Sequence, residues 1–274
     1  MTWVQLDLDD RGVATIVVDH PPINLVTIAV LIDLIGAVQS AADDDSVRVI
    51  VLRSSNPEWF LAHFDVEAIK DFPREAPEAT ELGPYDAVCE QLRTMPKATI
   101  AVLGGRAGGG GSELALACDM RFATPDAILG QPEVAVGIIP GAGGTVRLPR
   151  LIGRGRALEV VLGCDDIDAA TAERWGWVNR VLPADEIDAF VDRLAGRIAS
   201  FPAHAVAAAK ASVLRAETGV EADLLAETDA FNATLASDET HDRMRRFMDA
   251  GGQTPDDERR LGHVAGELCN PPPR

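Results

Sequence analysis

The sequence predicts an α/β protein that ends in a wholly helical region. Two observations carry this expectation. The first fifty residues run strand, strand, helix, strand, and a later buried run, "KATIAVLGG", feeds straight into a glycine cluster that opens another helix. From Ala184 onward only helical periodicity remains. We therefore expect a mixed α/β core over residues 1–200 and a helical region over 201–274.

Taken in order, "WVQLDLDDRGVATIVVD" alternates apolar and polar residues, which predicts strands Trp3–Leu8 and Val13–Asp19 about a turn at Asp9–Gly12. "HPPINLV" is a loop. Apolar residues at helical spacing predict a helix over Thr27–Ala42, ended by "DDDS". Val47–Ser54 is a β-branched run of the kind buried on both faces of a sheet. Asn56–Asp65 turns into a short buried segment, and Val66–Phe72 follows as a short helix. "FPREAPEATELGP", rich in proline and acid, reads as a mobile surface loop. Tyr85–Thr94 is helical and stops at Met95-Pro96. Beyond the glycine cluster come a helix over Ser112–Cys118 and a short strand, "DMRFAT". Short strands, turns and a helix start then mix in "AILGQPEVAVGIIPGAGGTVRLPRLIG". Ala157–Leu182 holds a helix, a connection and the strand "GWVNRVL". Four helices follow, Ala184–Ser200, Ala203–Thr218, Val220–Ala236 and Asp238–Ala250, before a loosely ordered tail, "GELCNPPPR".

Composition narrows the function classes. With 274 residues, 47% of them hydrophobic, the chain can bury a large core. A net charge of −18 works against binding a nucleic-acid backbone, which depends on clustered Lys and Arg. It leaves room for an anionic small ligand, because backbone amides hold phosphates locally. No apolar run reaches the ~18 residues of a membrane span, and the acidic, alternating N-terminus is not expected to act as a signal peptide. Cys89, Cys118, Cys164 and Cys269 are scattered without a CxxC pair or a zinc spacing, which points to reduced thiols in the cytoplasm.

The glycine run of "GGRAGGGGSELALACD" matches none of the familiar glycine loops. Glu113 stands where a dinucleotide loop needs its third glycine, no Gly-Lys-Ser/Thr is present, and Leu114 breaks a nucleophile elbow around Ser112. Bare amides at a helix start suit an oxygen that becomes negative during a reaction; the alternative is a tight strand–helix packing turn. Glu113, placed in the first helical turn, is accounted for by the helix dipole alone. Glu133, in "GQPEVAVGIIPGAGG", is either a solvent-facing turn acid or a partly desolvated carboxylate suited to proton transfer near neutrality.

At these residues the chain resembles the crotonase (enoyl-CoA hydratase/isomerase) superfamily. "PKATIAVLGGRAGGGGSELALACDMRFAT" is similar to its strand, glycine loop and helix, and "ILGQPEVAVGIIPGAGGTVRLPRLIG" to its second signature. "FLAHFDV" resembles its F-x-A-G-A-D-L segment and "HPPINLV" its early P-x-x-N-A-L segment. The resemblance implies a crotonase-like spiral of ββα units, assembled as a homotrimer or a dimer of trimers through the helical region. It implies an acyl-CoA substrate whose thioester oxygen is held by the amides of Ala62 and Gly110. Coenzyme A is then part of the substrate, and neither a separate cofactor nor a metal is expected. The family's two hydratase glutamates match Glu113, which would take a proton from water, and Glu133, which would protonate the α-carbon. Gly141 matches a glycine whose N–H helps hold that water, and His63, Phe64, Asp65 and Gly109 fall in the substrate-binding segments.

One departure stands out. The family's A-G-A-D becomes Ala62-His63-Phe64-Asp65, which would strain His63 if the backbone there required positive φ. It reads as a drifted loop that keeps its hydrogen bonds, with a third catalytic group at His63 as the alternative. Asp65 is expected to cap the next helix. Cys118, Trp175 and Trp177 read as packing, and Lys70 as either a surface lysine or a CoA phosphate contact. Enoyl-CoA hydratase is the expected activity, because family isomerases generally need only the acid at Glu133. The alternatives are a Δ3-Δ2 isomerase, a thioester hydrolase and a non-catalytic CoA binder.

Overall fold

The computed structural model describes residues 2–268, so Cys269 and most of the expected loose tail lie outside the described residues. Strands β1 (Val4–Leu8) and β2 (Val13–Val18) form the expected hairpin, and α1 (Ile28–Asp43) follows, capped by the Thr27 side chain. Then come β3 (Val49–Ser54), β4 (Trp59–Leu61), α2 (Val66–Lys70), α3 (Pro84–Thr94), β5 (Ala98–Leu103), β6 (Arg106–Gly108) and α4 (Gly109–Ala117). Next are β7 (Met120–Ala123), β8 (Ile128–Gly130), a 3-10 turn (Glu133–Val136), α5 (Gly144–Ile152), α6 (Arg154–Gly163), β9 (Ile167–Asp168), α7 (Ala169–Trp175) and β10 (Arg180–Val181). Helices α8 (Ile187–Ala199), α9 (Ala203–Leu214), α10 (Val220–Leu235), α11 (Asp238–Asp249), α12 (Pro255–Glu258) and α13 (Leu261–Glu267) complete the chain.

The strands sort into two sheets, ordered β1-β2-β3-β5-β7-β10 and β4-β6-β8-β9. Each successive turn of the chain gives one strand to each sheet, β3 then β4, β5 then β6, β7 then β8. That repetition is the expected spiral. Pairing from β2 to β10 is parallel in the large sheet. Both of its faces are covered. Ile50 and Leu52 pack with α1, α3 and α4, while Val49 and Val51 face α8. This is why β3 reads as an unbroken apolar run rather than an alternation.

Several elements differ from the sequence expectation. The helix expected over Ser112–Cys118 begins at Gly109, so Glu113 lies in its second turn, not its first. Strand β6, the 3-10 turn, α12 and α13 are too short or too polar to show a period. The acidic loop before α3 is anchored: Ala79 N–H donates to Asp229 Oδ1 at 2.8 Å, and Arg74 pairs with Asp238 at 2.6 Å. Helices α10, α11 and α13 turn back over this chain's own core, burying Leu235, Phe247 and Leu261 with Val66 and Ile138. Helix α9, by contrast, buries none of its residues within the chain. No helix among the described residues is long and apolar enough to cross a membrane.

Candidate active site

The glycine run exists because α4 starts almost in contact with the segment after β4. A Cβ on Gly111 would lie 2.2 Å from Leu61 O, a backbone atom that cannot move aside. Gly109 carries a positive φ of 43°, and a Cβ there would lie 2.6 Å from Glu133 Oε1 and 3.2 Å from His63 Cβ. Close packing and an open path to a ligand are therefore both served by the same glycines.

The amide geometry corrects one expected donor. Ala62 N–H already donates to Asn24 O at 3.3 Å, and Ala62 O accepts from Gly108 N–H. Two residues on, Val26 and Phe64 form a one-residue parallel bridge: Val26 N–H donates to His63 O at 2.9 Å and Asp65 N–H to Val26 O at 3.0 Å. Successive amides of extended chain point in opposite directions, so the Phe64 N–H faces away from Val26. It faces α4, where a Cβ on Gly110 would stand 3.4 Å from Phe64 N. Neither the Phe64 nor the Gly110 N–H has a hydrogen-bond partner among the described residues. The pair of open amides is thus Phe64 with Gly110, not Ala62 with Gly110. Tyr85, which the sequence did not single out, steadies this pair. Its hydroxyl donates to Gly110 O at 2.7 Å, and its ring meets that of Phe64 edge-on.

These amides open into a cavity of about 420 Å³ whose lining includes Phe64, Gly110, Glu113, Glu133, Gly141 and Phe231. Glu113 is buried, and its Oε1 accepts from Ala142 N–H at 2.9 Å and Gly144 N–H at 2.8 Å, at the start of α5. It therefore serves a neighbouring helix rather than the dipole of its own. Glu227 on α10 holds the same loop from behind, accepting from Thr145 N–H at 2.7 Å. Burial raises the Glu113 pKa well above its usual 4.5, and the nearby Glu133 and Glu227 carboxylates push it further. Glu133 is half-buried, not a solvent-facing turn acid, and burial lifts its pKa to about 7. With its amide nitrogen turned toward Glu133, Gln131 donates to both carboxylate oxygens at 3.2 Å. Each carboxyl's charge bears on the other's, so they titrate as a pair.

The remaining expected residues fall into place around this centre. The Gly141 N–H has no partner among the described residues, and a Cβ there would strike the Phe231 ring at 2.7 Å. Asp65 caps α2 by accepting from Glu67 N–H at 3.0 Å. His63 does not have positive φ, so no backbone strain attends it. Lys70 pairs with Glu67 at 2.9 Å. Trp177 is fully buried; Cys89, Cys118 and Cys164 are also buried, and of these Cys89 and Cys118 are free thiols. Sequence reasoning missed Asp86 on α3, a buried carboxyl on the cavity wall whose pKa burial raises to about 7. Its only sequence signal was its position in the first turn of α3.

Many known proteins resemble this chain. The crotonyl-CoA hydratase of Syntrophomonas wolfei is 35% identical over 88% of this chain and 93% of its own length. The short-chain-enoyl-CoA hydratase of Clostridium acetobutylicum is 31% identical over 88% of this chain and 94% of that protein. Among solved structures, a 40% identical protein from Streptomyces avermitilis superposes with a TM-score of 0.88, covering 98% of this chain and 99% of that one. The family model described as enoyl-CoA hydratase/isomerase matches residues 9–254. With its spiral of paired strands, its two open amides and its two carboxyls in one cavity, the chain belongs to the enoyl-CoA hydratase/isomerase family and has the crotonase fold.

Proposed function

We propose that the protein is an enoyl-CoA hydratase, adding water across the double bond of a 2-trans-enoyl-CoA in fatty acid metabolism. One observation carries the reading: two backbone N–H groups without a hydrogen-bond partner among the described residues and two carboxyls of raised pKa line a single cavity. The thioester oxygen accepts from Phe64 and Gly110, whose dipoles are fixed before negative charge builds up on it. Losing one such donor costs about 2.7–4 kcal/mol of transition-state stabilisation. Glu113 takes a proton from water as the hydroxyl bonds to the β-carbon, and Glu133 gives its proton to the α-carbon. Both then exchange protons with solvent to restore the starting state. Gly141 helps seat the water and His63 lines the substrate-binding wall, while Asp65 and Gly109 stand behind that wall and hold its segments in place. Coenzyme A enters as part of the substrate, so the chemistry calls for no separate cofactor.

The family names of the relatives support this reading, and so does the retention of Glu113 beside Glu133. A cytoplasmic location accords with the free thiols of Cys89 and Cys118. A homotrimer or dimer of trimers would cover α9 and the exposed Leu158 and Leu162 of α6, an arrangement that light scattering tests. For the activity itself, loss of the conjugated enoyl-thioester absorbance is followed over a series of acyl chain lengths. Turnover with at least one chain is expected. No absorbance loss with any of them would overturn the hydratase reading in favour of an isomerase, a hydrolase or a binder.

A further inference from the structure

His63 is tied to a part of the chain that the reaction does not otherwise use. Its Nδ1 lies 2.8 Å from Phe64 O and its Nε2 3.0 Å from Glu258 Oε1 on α12. Both partners are acceptors. Gln253 N–H also donates to Oε1 at 2.9 Å, and this bond together with His63 lowers the Glu258 pKa despite its burial, so Glu258 is held as the carboxylate. With Glu258 ionised, both ring nitrogens face acceptors, and the ring carries both hydrogens as an imidazolium. Glu258 is fully buried, and the ring of Phe247 on α11 packs across His63 at 6.1 Å.

The contact extends on either side. Gln253, in the turn between α11 and α12, accepts from Val66 N–H at 2.6 Å and donates to Asp65 Oδ1 at 3.0 Å. It does so with φ at 65°, a left-handed conformation unusual for glutamine. Gln253 and Glu258 thus grip three of the four residues 63–66, and the fourth, Phe64, supplies one open amide. His63 also adjoins Glu133: the same point beside Gly109 lies 3.2 Å from His63 Cβ and 2.6 Å from Glu133 Oε1.

We propose that the turn Gln253–Glu258 is a clasp that positions the oxyanion-binding loop, with His63 as its charged pin and as a positioning residue for Phe64 and Glu133. This deepens the hydratase reading and rests on it. The pin ties the Phe64 peptide in place and sets a positive charge beside the carboxyl that must release a proton to carbon. The charged groups facing His63 are Glu258 from α12 and Glu133 from the 3-10 turn, with Arg106 behind Glu258; α11 contributes only the Phe247 ring. Burial disfavours the imidazolium, but Glu258 outweighs it and lifts the His63 pKa to about 9, while the Glu258 pKa is lowered. The pin's contribution is therefore complete below about pH 6.5, the unfolded-state value for histidine, and is lost as pH rises through about 9.

The test compares wild type with Glu258→Gln, Glu258→Asp and Gln253→Ala by steady-state hydration and by hydrogen exchange of the backbone over residues 62–66. Glu258→Gln is expected to lower kcat by about 10–100-fold, the scale of a slightly misplaced catalytic group, with KM changed less than twofold. Its alkaline limb should move from about pH 9 toward neutrality, and Glu258→Asp, which keeps the charge, should restore that limb. Exchange over 62–66 should accelerate in Glu258→Gln. Gln253→Ala, which removes no buried charge, should loosen the same segment and lower kcat even if Glu258→Gln fails to fold. Wild-type kcat, pH profile and exchange in the folded variants would overturn the clasp. If wild type hydrates no enoyl-CoA, the hydratase reading falls, and exchange alone decides the clasp, with unchanged protection counting against it.

Discussion

Replacing Glu133 by Gln should make the protein less active and, at neutral pH, more stable. In the folded chain burial raises this carboxyl from 4.5 to about 7. A folded-state pKa above the unfolded one means that stability is greatest below pH 4.5 and declines until the pH passes about 7. At 1.36 kcal/mol per unit, the upper bound on that cost is about 3 kcal/mol; sharing of protons with Glu113 brings the expected gain for glutamine to about 1–3 kcal/mol. Glutamine has the same shape, keeps one of the two contacts with Gln131 through its carbonyl oxygen and never ionises. For a chain of this length the gain corresponds to a Tm rise of roughly 3–8 °C at pH 8, shrinking to near zero at pH 4.5. The same change removes the group that protonates the α-carbon, so kcat should fall by about 10²–10⁴-fold. Thermal melts at the two pH values, run beside the hydration assay, read both effects. A Tm shift of equal size at pH 4.5 and pH 8 would refute the burial argument, and an unimpaired kcat would refute the assigned role.

Two further substitutions probe the scaffold. Gly109→Ala places a methyl 2.6 Å from Glu133 Oε1 at a φ of 43°. It should cost about 1–2 kcal/mol in stability and at least tenfold in kcat, measured by denaturant midpoint and hydration rate. Wild-type kcat would mean that Glu133 tolerates being displaced. Asn24→Ala removes a fully buried amide that accepts from His20 N–H at 2.7 Å, donates to Phe60 O at 3.3 Å and sits at a φ of 52°. It should destabilise the fold by about 2–4 kcal/mol, summing lost buried hydrogen bonds and an unfavourable backbone. A denaturant midpoint within error of wild type would show that the early loop is not tied to β4 through this side chain.

Much of the spiral was legible because its long elements carry their own periodicity. The unbroken apolar run of β3 and the amphipathic stripe of α1 follow from local burial. Strands β6, β9 and β10, of three, two and two residues, carry no period, and they form only because a neighbouring strand offers free backbone groups. The two carboxyls were found from their places in recognisable motifs. Their surroundings were not: Glu113 lies in the second turn of α4 and spends its hydrogen bonds on the start of α5.

The order of residues alone determined that glycines would open α4, that acids would stand at 113 and 133, and that the chain would close in helices, since each depends on neighbours in sequence. Which amide stays open was decided in three dimensions. Ala62 and Phe64 lie two residues apart in one extended segment, yet the Ala62 N–H is taken by Asn24 while Phe64's is turned outward by the pairing at Val26. The partner of His63 likewise lies 195 residues away. A hydrogen bond requires direction as well as composition, and direction is set by segments that only folding brings together.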